Sequence, residues 1–175
     1  MTQPEFDVVL SEADLMARIE DLADRIAPRL TGDWNAINVL IGATPFTSDL
    51  MKAFARRGLH PTLDALWLES YRDARESSGR VVVRADIARP IKDRGVLLID
   101  DVFDTGRTLA FAKSHLLAKG AREVITVALA RKPWAPEGDE NVDYHAFDAP
   151  PRFLVGYGMD DAGKYRGLPY IGALD

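Results

Sequence analysis

Not one of the 175 residues is cysteine. That absence excludes disulfides, a thiolate nucleophile and zinc sites built from sulfur. Histidine is scarce as well: His60, His115 and His145 lie far apart and none falls in a metal-binding helix motif, so each is expected to pack or to face solvent. No apolar run reaches the length of about 18 residues that a transmembrane helix needs, so no membrane partner is expected. Residues 1–7 are polar and acidic and lack the basic and apolar regions of a secretion leader, which makes the cytoplasm the expected compartment. Positive charge is in deficit too, with a formal net charge of -5, and this argues against a general nucleic-acid binder.

What is present is apolar: 47% of the residues are hydrophobic, enough at this length for one domain, spanning 1–175, to bury a core without staples. The charge balance reverses locally. Between Ser70 and Arg94, seven basic residues (Arg72, Arg75, Arg80, Arg84, Arg89, Lys92, Arg94) face four acidic ones (Asp73, Glu76, Asp86, Asp93), a bias that suits a small polyanion or simply a solvated surface.

Taken in order, Ser11 precedes an amphipathic helix whose Leu15, Ile19, Leu22, Ala23 and Ile26 share one face. Residues 37–41 read as a short strand and 42–45 as a tight loop. Phe46, Leu50, Ala53 and Phe54 then mark a helix closing at Gly58, and 63–68 are the next strand. Strand, helix and strand joined by short loops predict a right-handed unit and a largely parallel sheet. Residues 69–80 are polar without apolar period and read as a loop long enough to act as a lid. Residues 81–83 are strand-like, 96–99 form a buried strand, Leu109, Ala112, Leu116 and Leu117 mark a helix ending at Gly120, and 124–129 are another parallel strand. Beyond Leu129 the chain turns rich in Pro and Gly, and short strands at 143–147 and 154–157 are expected to form a flap above the C-terminal edge of the sheet, where open α/β folds bind ligands.

The most informative stretch is Val96-Leu97-Leu98-Ile99-Asp100-Asp101-Val102-Phe103-Asp104-Thr105-Gly106-Arg107-Thr108. Its apolar strand ends in carboxylates. Thr105-Gly106-Arg107-Thr108 then offers two hydroxyls, an unhindered glycine and free N–H groups at a helix N-terminus, where the helix dipole favours an anion. On the residues alone, the acidic pair could instead simply terminate the strand, with Thr105 or Thr108 an ordinary N-cap.

The whole string closely resembles the phosphoribosyl pyrophosphate (PRPP) signature of the type I phosphoribosyltransferases, in which an apolar strand leads to two acidic residues, two apolar residues and Asp-Thr-Gly-Lys/Arg-Thr. The tail narrows the resemblance. Phe153-Leu154-Val155-Gly156-Tyr157 before Asp160, and Tyr165-Arg166-Gly167-Leu168-Pro169-Tyr170-Ile171, are similar to the C-terminus of the hypoxanthine-guanine phosphoribosyltransferases. The fold this implies is α/β, a largely parallel twisted sheet flanked by helices (core about 34–130), with a small hood from the terminal segments, about 1–12 and 131–175. The activity it implies is Mg²⁺-dependent transfer of phosphoribose from PRPP to a 6-oxopurine, by a chain that associates as a homodimer or homotetramer.

Carried onto this sequence, the resemblance assigns Asp100 and Asp101 to the ribose hydroxyls, directly or through Mg²⁺. It puts Asp104 beside purine N7 as general base or acid, and Thr105, Gly106, Arg107 and Thr108 around the 5'-phosphate. Lys132 would reach the purine O6, Phe153 would stack on the ring, and the backbone near Leu154 would meet its edge. Asp160 would help place a second Mg²⁺, Arg166 would meet pyrophosphate beside the loop at Ile41 and Gly42, and Ser70 and Tyr71 would close over the site.

The chain departs from the family pattern at three places. Ile41 stands where a basic residue usually faces pyrophosphate, leaving only backbone N–H groups there. Asp100 replaces a common Glu, and Trp134-Ala135 replaces a basic pair after Lys132-Pro133. The missing charge at Ile41 motivates a second expectation, a PRPP or purine-nucleotide sensor of the same fold; a xanthine- or guanine-preferring transferase is a third.

Overall fold

The computed structural model describes residues 6–71 and 80–174. Nine strands and three α-helices run in the order β1 (Asp7–Leu10), α1 (Glu12–Ile26), β2 (Trp34–Leu40), α2 (Thr44–Arg56), β3 (Thr62–Tyr71), β4 (Arg80–Ala85), β5 (Gly95–Phe103), α3 (Arg107–Ala118), β6 (Glu123–Arg131), β7 (Tyr144–Asp148), β8 (Phe153–Val155) and β9 (Ile171–Leu174) among the described residues. Six strands form one sheet in the order β4-β3-β2-β5-β6-β7, parallel throughout except for the antiparallel β4 at its edge.

The central strand shows why this sheet is buried on both sides. Its apolar run has no polar alternation, so Leu97 and Ile99 pack against α1 and α2 on one face while Val96 and Leu98 pack against α3 on the other. Helix α1 starts as its sequence requires: Ser11 Oγ accepts the Asp14 N–H at 3.2 Å, and Leu15, Ile19, Leu22 and Ile26 are fully buried. Arg57, just past α2, ties the two helices together through Glu20 at 2.7 Å and Asp24 at 2.8 Å.

The chain ends meet in a second, three-stranded antiparallel sheet, β1-β9-β8, which forms the expected hood. One expected member is absent from it. Strand β7, read from sequence as part of the flap, pairs in parallel with β6 and is the outer strand of the main sheet, with Ala128 opposite His145 and Ala130 opposite Phe147. Phe147 is buried in the α1–α2 core, which explains the placement.

Several boundaries also move. Strand β5 does not stop at the acidic pair, because β6 supplies backbone partners as far as Phe103, opposite Arg131. Helix α2 takes in Thr44 and Pro45, with the proline in its first turn. Residues 69–71, read as loop, continue β3 by pairing with 80–82 of β4. The expected lid is therefore shorter at both ends, and its centre, 72–79, lies outside the described residues.

Candidate active site

Strand β5 delivers its carboxylates to the C-terminal edge of the sheet. Asp100 is buried at 7% exposure, and its Oδ1 accepts the Asp101 N–H at 3.0 Å, while Asp101 Oδ1 accepts the Val102 N–H at 2.8 Å. Burial, and then the neighbouring Asp101 charge, push the Asp100 carboxyl well above the usual carboxylate range. A divalent cation or a hydroxyl-bearing ligand would answer that crowding of negative charge.

Past Phe103 the chain turns into α3. Gly106 sits at φ +74° with the Phe103 ring 3.2 Å from where a Cβ would be, so both its conformation and its space call for glycine. The first-turn N–H groups of α3 have no partner within the helix and open onto a cavity of about 200 Å³. Asp100, Asp104, Thr105, Gly106, Arg107 and Thr108 line it, with Val81 of β4. Its hydroxyls, N–H groups and helix dipole suit a phosphate.

A second cavity, of about 500 Å³, lies on the other side of Asp104. Asp101, Asp104, Lys132, Trp134, Phe153, Leu154 and Asp160 line it, and it shares Val102 and Asp104 with the first. Lys132 is carried in by a backbone bond from its N–H to the Phe103 carbonyl at 2.9 Å. Its Nζ donates to the carbonyls of Pro150 and Arg152, and burial lowers its pKa while the Asp104 charge works the other way. Phe153 presents a ring that is 55% exposed, and Leu154 beside it is buried. A cavity that joins an apolar ring, an ammonium and three carboxylates is a place for a heteroaromatic ligand with a carbonyl.

The loop after β2 closes the third side. Its Leu40–Ile41 peptide is cis. A Cβ on Gly42 would stand 1.8 Å from Asp101 Oδ2, and one on Gly158 would stand 1.9 Å from the Gly42 carbonyl oxygen, so loop, carboxylate and hood touch at these two glycines. Arg166 Nη1 donates to the Gly158 carbonyl at 2.6 Å, and its Nη2 pairs with Asp160 at 2.5 Å. Asp160 also accepts the Gly163 N–H at 2.6 Å.

The sequence-derived set is thus brought together at Asp100, Asp101, Asp104 to Thr108, Lys132, Phe153, Leu154, Asp160 and Gly42. Arg166 is held by Asp160 and Gly158, and Ile41 is an exposed apolar side chain. The backbones of Ser70 and Tyr71 end β3, while their side chains lie outside the description. Among the described residues no three acidic or histidine side chains cluster around one point, so Asp100, Asp101 and Asp160 do not form a protein-only cage. The hard oxygens of Asp100 and Asp101 do fit Mg²⁺, which takes one or two carboxylates and completes its shell with water and substrate oxygens.

Sequence reasoning missed one member. Trp134, read only as a lost positive charge, donates its indole N–H to Asp104 Oδ1. The available signal was a tryptophan in a turn two residues after Lys132; a contact across thirty positions was not legible from it.

Residues 18–162 match the model of the phosphoribosyl transferase domain. Hypoxanthine-guanine phosphoribosyltransferase of Bacillus subtilis is 33% identical over 168 residues, covering 95% of this chain and 92% of that protein. The bifunctional protein TilS/HprT of Listeria monocytogenes is 36% identical over 168 residues, 95% of this chain; the chain spans 26% of that relative's length. Among solved structures, a hypoxanthine-guanine phosphoribosyltransferase of Bacillus anthracis superposes with a TM-score of 0.89 at 31% identity, covering 98% of this chain and all of that one.

Proposed function

The chain belongs to the phosphoribosyltransferase family, and from that premise we propose that it salvages a 6-oxopurine, joining hypoxanthine or guanine to PRPP to give IMP or GMP and pyrophosphate. One observation carries this reading: a cavity lined by Thr105 to Thr108 and a cavity lined by Lys132 and Phe153 meet at a single carboxylate, Asp104. A ribose spanning the two would present its C1 beside that carboxylate.

In this reading Thr105 to Thr108 hold the 5'-phosphate. Asp100 and Asp101 hold the ribose hydroxyls and would hold Mg²⁺, which when bound would neutralise charge on the pyrophosphate. Lys132 donates to the purine O6 and Phe153 stacks on the ring, so that N9 faces C1. As N9 attacks, the bond from C1 to pyrophosphate oxygen breaks and Asp104 accepts the proton from N7. The transition state has oxocarbenium character, like that of glycoside cleavage, so positioning and exclusion of water supply much of the acceleration. Arg166, released from Asp160, would meet the departing pyrophosphate. We place this activity in the cytoplasm, in a homodimer or homotetramer, which light scattering would test.

The test is purified protein with Mg²⁺ and PRPP, offered hypoxanthine, guanine, xanthine and adenine in turn, with nucleotide and pyrophosphate followed together. Equal amounts of IMP or GMP and pyrophosphate are expected, and the rates rank the bases. Tight binding of PRPP or GMP without product from any base would replace the enzyme by the nucleotide sensor that Ile41 suggests.

A further inference from the structure

Resting on that reading of the site, the geometry points to Trp134 as a positioning residue that holds the acid–base carboxylate and the O6-binding ammonium in one arrangement. Its indole N–H donates to Asp104 Oδ1, and the Lys132 ammonium lies over its ring, 5.5 Å from the centroid. Both contacts have the polarity the indole favours: the electropositive edge meets the anion and the electron-rich face meets the cation. The ring is carried by a tight turn in which the Ala135 N–H bonds the Lys132 carbonyl at 3.1 Å and Ala135 is buried at 5% exposure. Trp134 itself is 56% exposed, so its burial contributes little to the fold. With Oδ1 occupied by the indole, Oδ2 is the oxygen left to meet a ligand. Trp134-Ala135 stands where a basic pair is usual after Lys-Pro, so the indole sets the base-reading end of the site without adding charge.

The test pairs two readouts. In the proton spectrum the Trp134 indole N–H, one of three in the chain, is identified by its loss in W134F. It is expected downfield and slow to exchange, and D104N should move it upfield and speed its exchange. In kinetics, W134F keeps a ring over Lys132 and removes only the donor. Its kcat for hypoxanthine or guanine should fall about tenfold, the loss of one hydrogen bond to a charged group, with KM for PRPP and the melting temperature nearly unchanged. W134A, which also removes the ring, should raise KM for the base as well. An indole signal indifferent to D104N, or wild-type kcat in W134F, overturns the assignment. If the wild type forms no nucleotide, the proposed function fails, while the response of the indole to D104N still decides whether Trp134 holds Asp104.

Discussion

Replacing Gly42 by alanine separates the site from the fold. The new methyl would stand 1.8 Å from Asp101 Oδ2 and 2.8 Å from its Cγ, and its three nearest neighbours all belong to that side chain. Real Cβ atoms keep beyond 3.0 Å, so the carboxylate must swing aside, which strains its bond to the Val102 N–H but displaces no backbone among the nearest atoms. Stability should therefore change by less than about 1 kcal/mol, a few degrees in Tm for a domain of this size. Activity should change far more. A displacement of about 1 Å in a group that positions substrate costs up to 10²-fold, so kcat/KM for PRPP is expected to fall by about 10- to 10²-fold, which is about 1.4 to 2.7 kcal/mol of transition-state stabilisation. The assay is steady-state kinetics with PRPP varied at saturating base, alongside a thermal melt. Gly158→Ala is the contrasting control: its Cβ would meet the Gly42 carbonyl oxygen at 1.9 Å from a backbone at φ +99°, so this variant should lose stability as well. A G42A enzyme with wild-type kcat/KM for PRPP would refute the role given to Asp101.

Asp104→Ala should lower kcat on the order of 10²-fold for loss of proton transfer, with PRPP binding largely retained by titration calorimetry. Ile41→Lys should tighten pyrophosphate as a product inhibitor, because it returns a cation to a loop that offers only backbone N–H groups; unchanged inhibition would mean that the charge is supplied elsewhere. Acid stability should carry a signature of Asp86. Burial raises its pKa, but Lys119 at 2.8 Å, His115 at 3.0 Å and the Ile87 N–H outweigh that and bring it to about 2. The unfolded chain binds this proton more tightly, so the contribution is present above the unfolded value of 3.8 and is lost as pH falls through about 2. Because Asp86 is about one-third exposed, the effect is about 1 kcal/mol or less, and denaturant melts of D86N should show a flatter pH dependence over that window.

The parts legible in the sequence are those governed by local chemistry. An unbroken apolar run, an acidic pair and Thr-Gly-Arg-Thr locate the central strand and the turn into α3, because burial on both faces and a glycine at positive φ leave a direct mark on residue choice. The first helix announces itself through Ser11 and one apolar face. What could not be read depends on distant partners. Residues 144–148 carry the pattern of a half-buried strand, which suits a hood and a sheet edge equally well until Phe147 finds the α1–α2 core. Glu69, Ser70 and Tyr71 show no apolar period, and what keeps them extended is backbone pairing with β4, which leaves no mark on residue choice. The raised pKa of Asp100 arises from walls contributed by the surrounding fold, and the contact between Trp134 and Asp104 joins two loops.

Phosphate and base are expected to occupy the two cavities joined at Asp104. A crystal structure of the chain with IMP tests this most directly. The 5'-phosphate is expected on the N–H groups and hydroxyls of Thr105 to Thr108, with O6 against Lys132, the ring on Phe153 and N7 within hydrogen-bond distance of Asp104. A phosphate bound elsewhere, or a base that does not reach Lys132 and Asp104, would contradict the account.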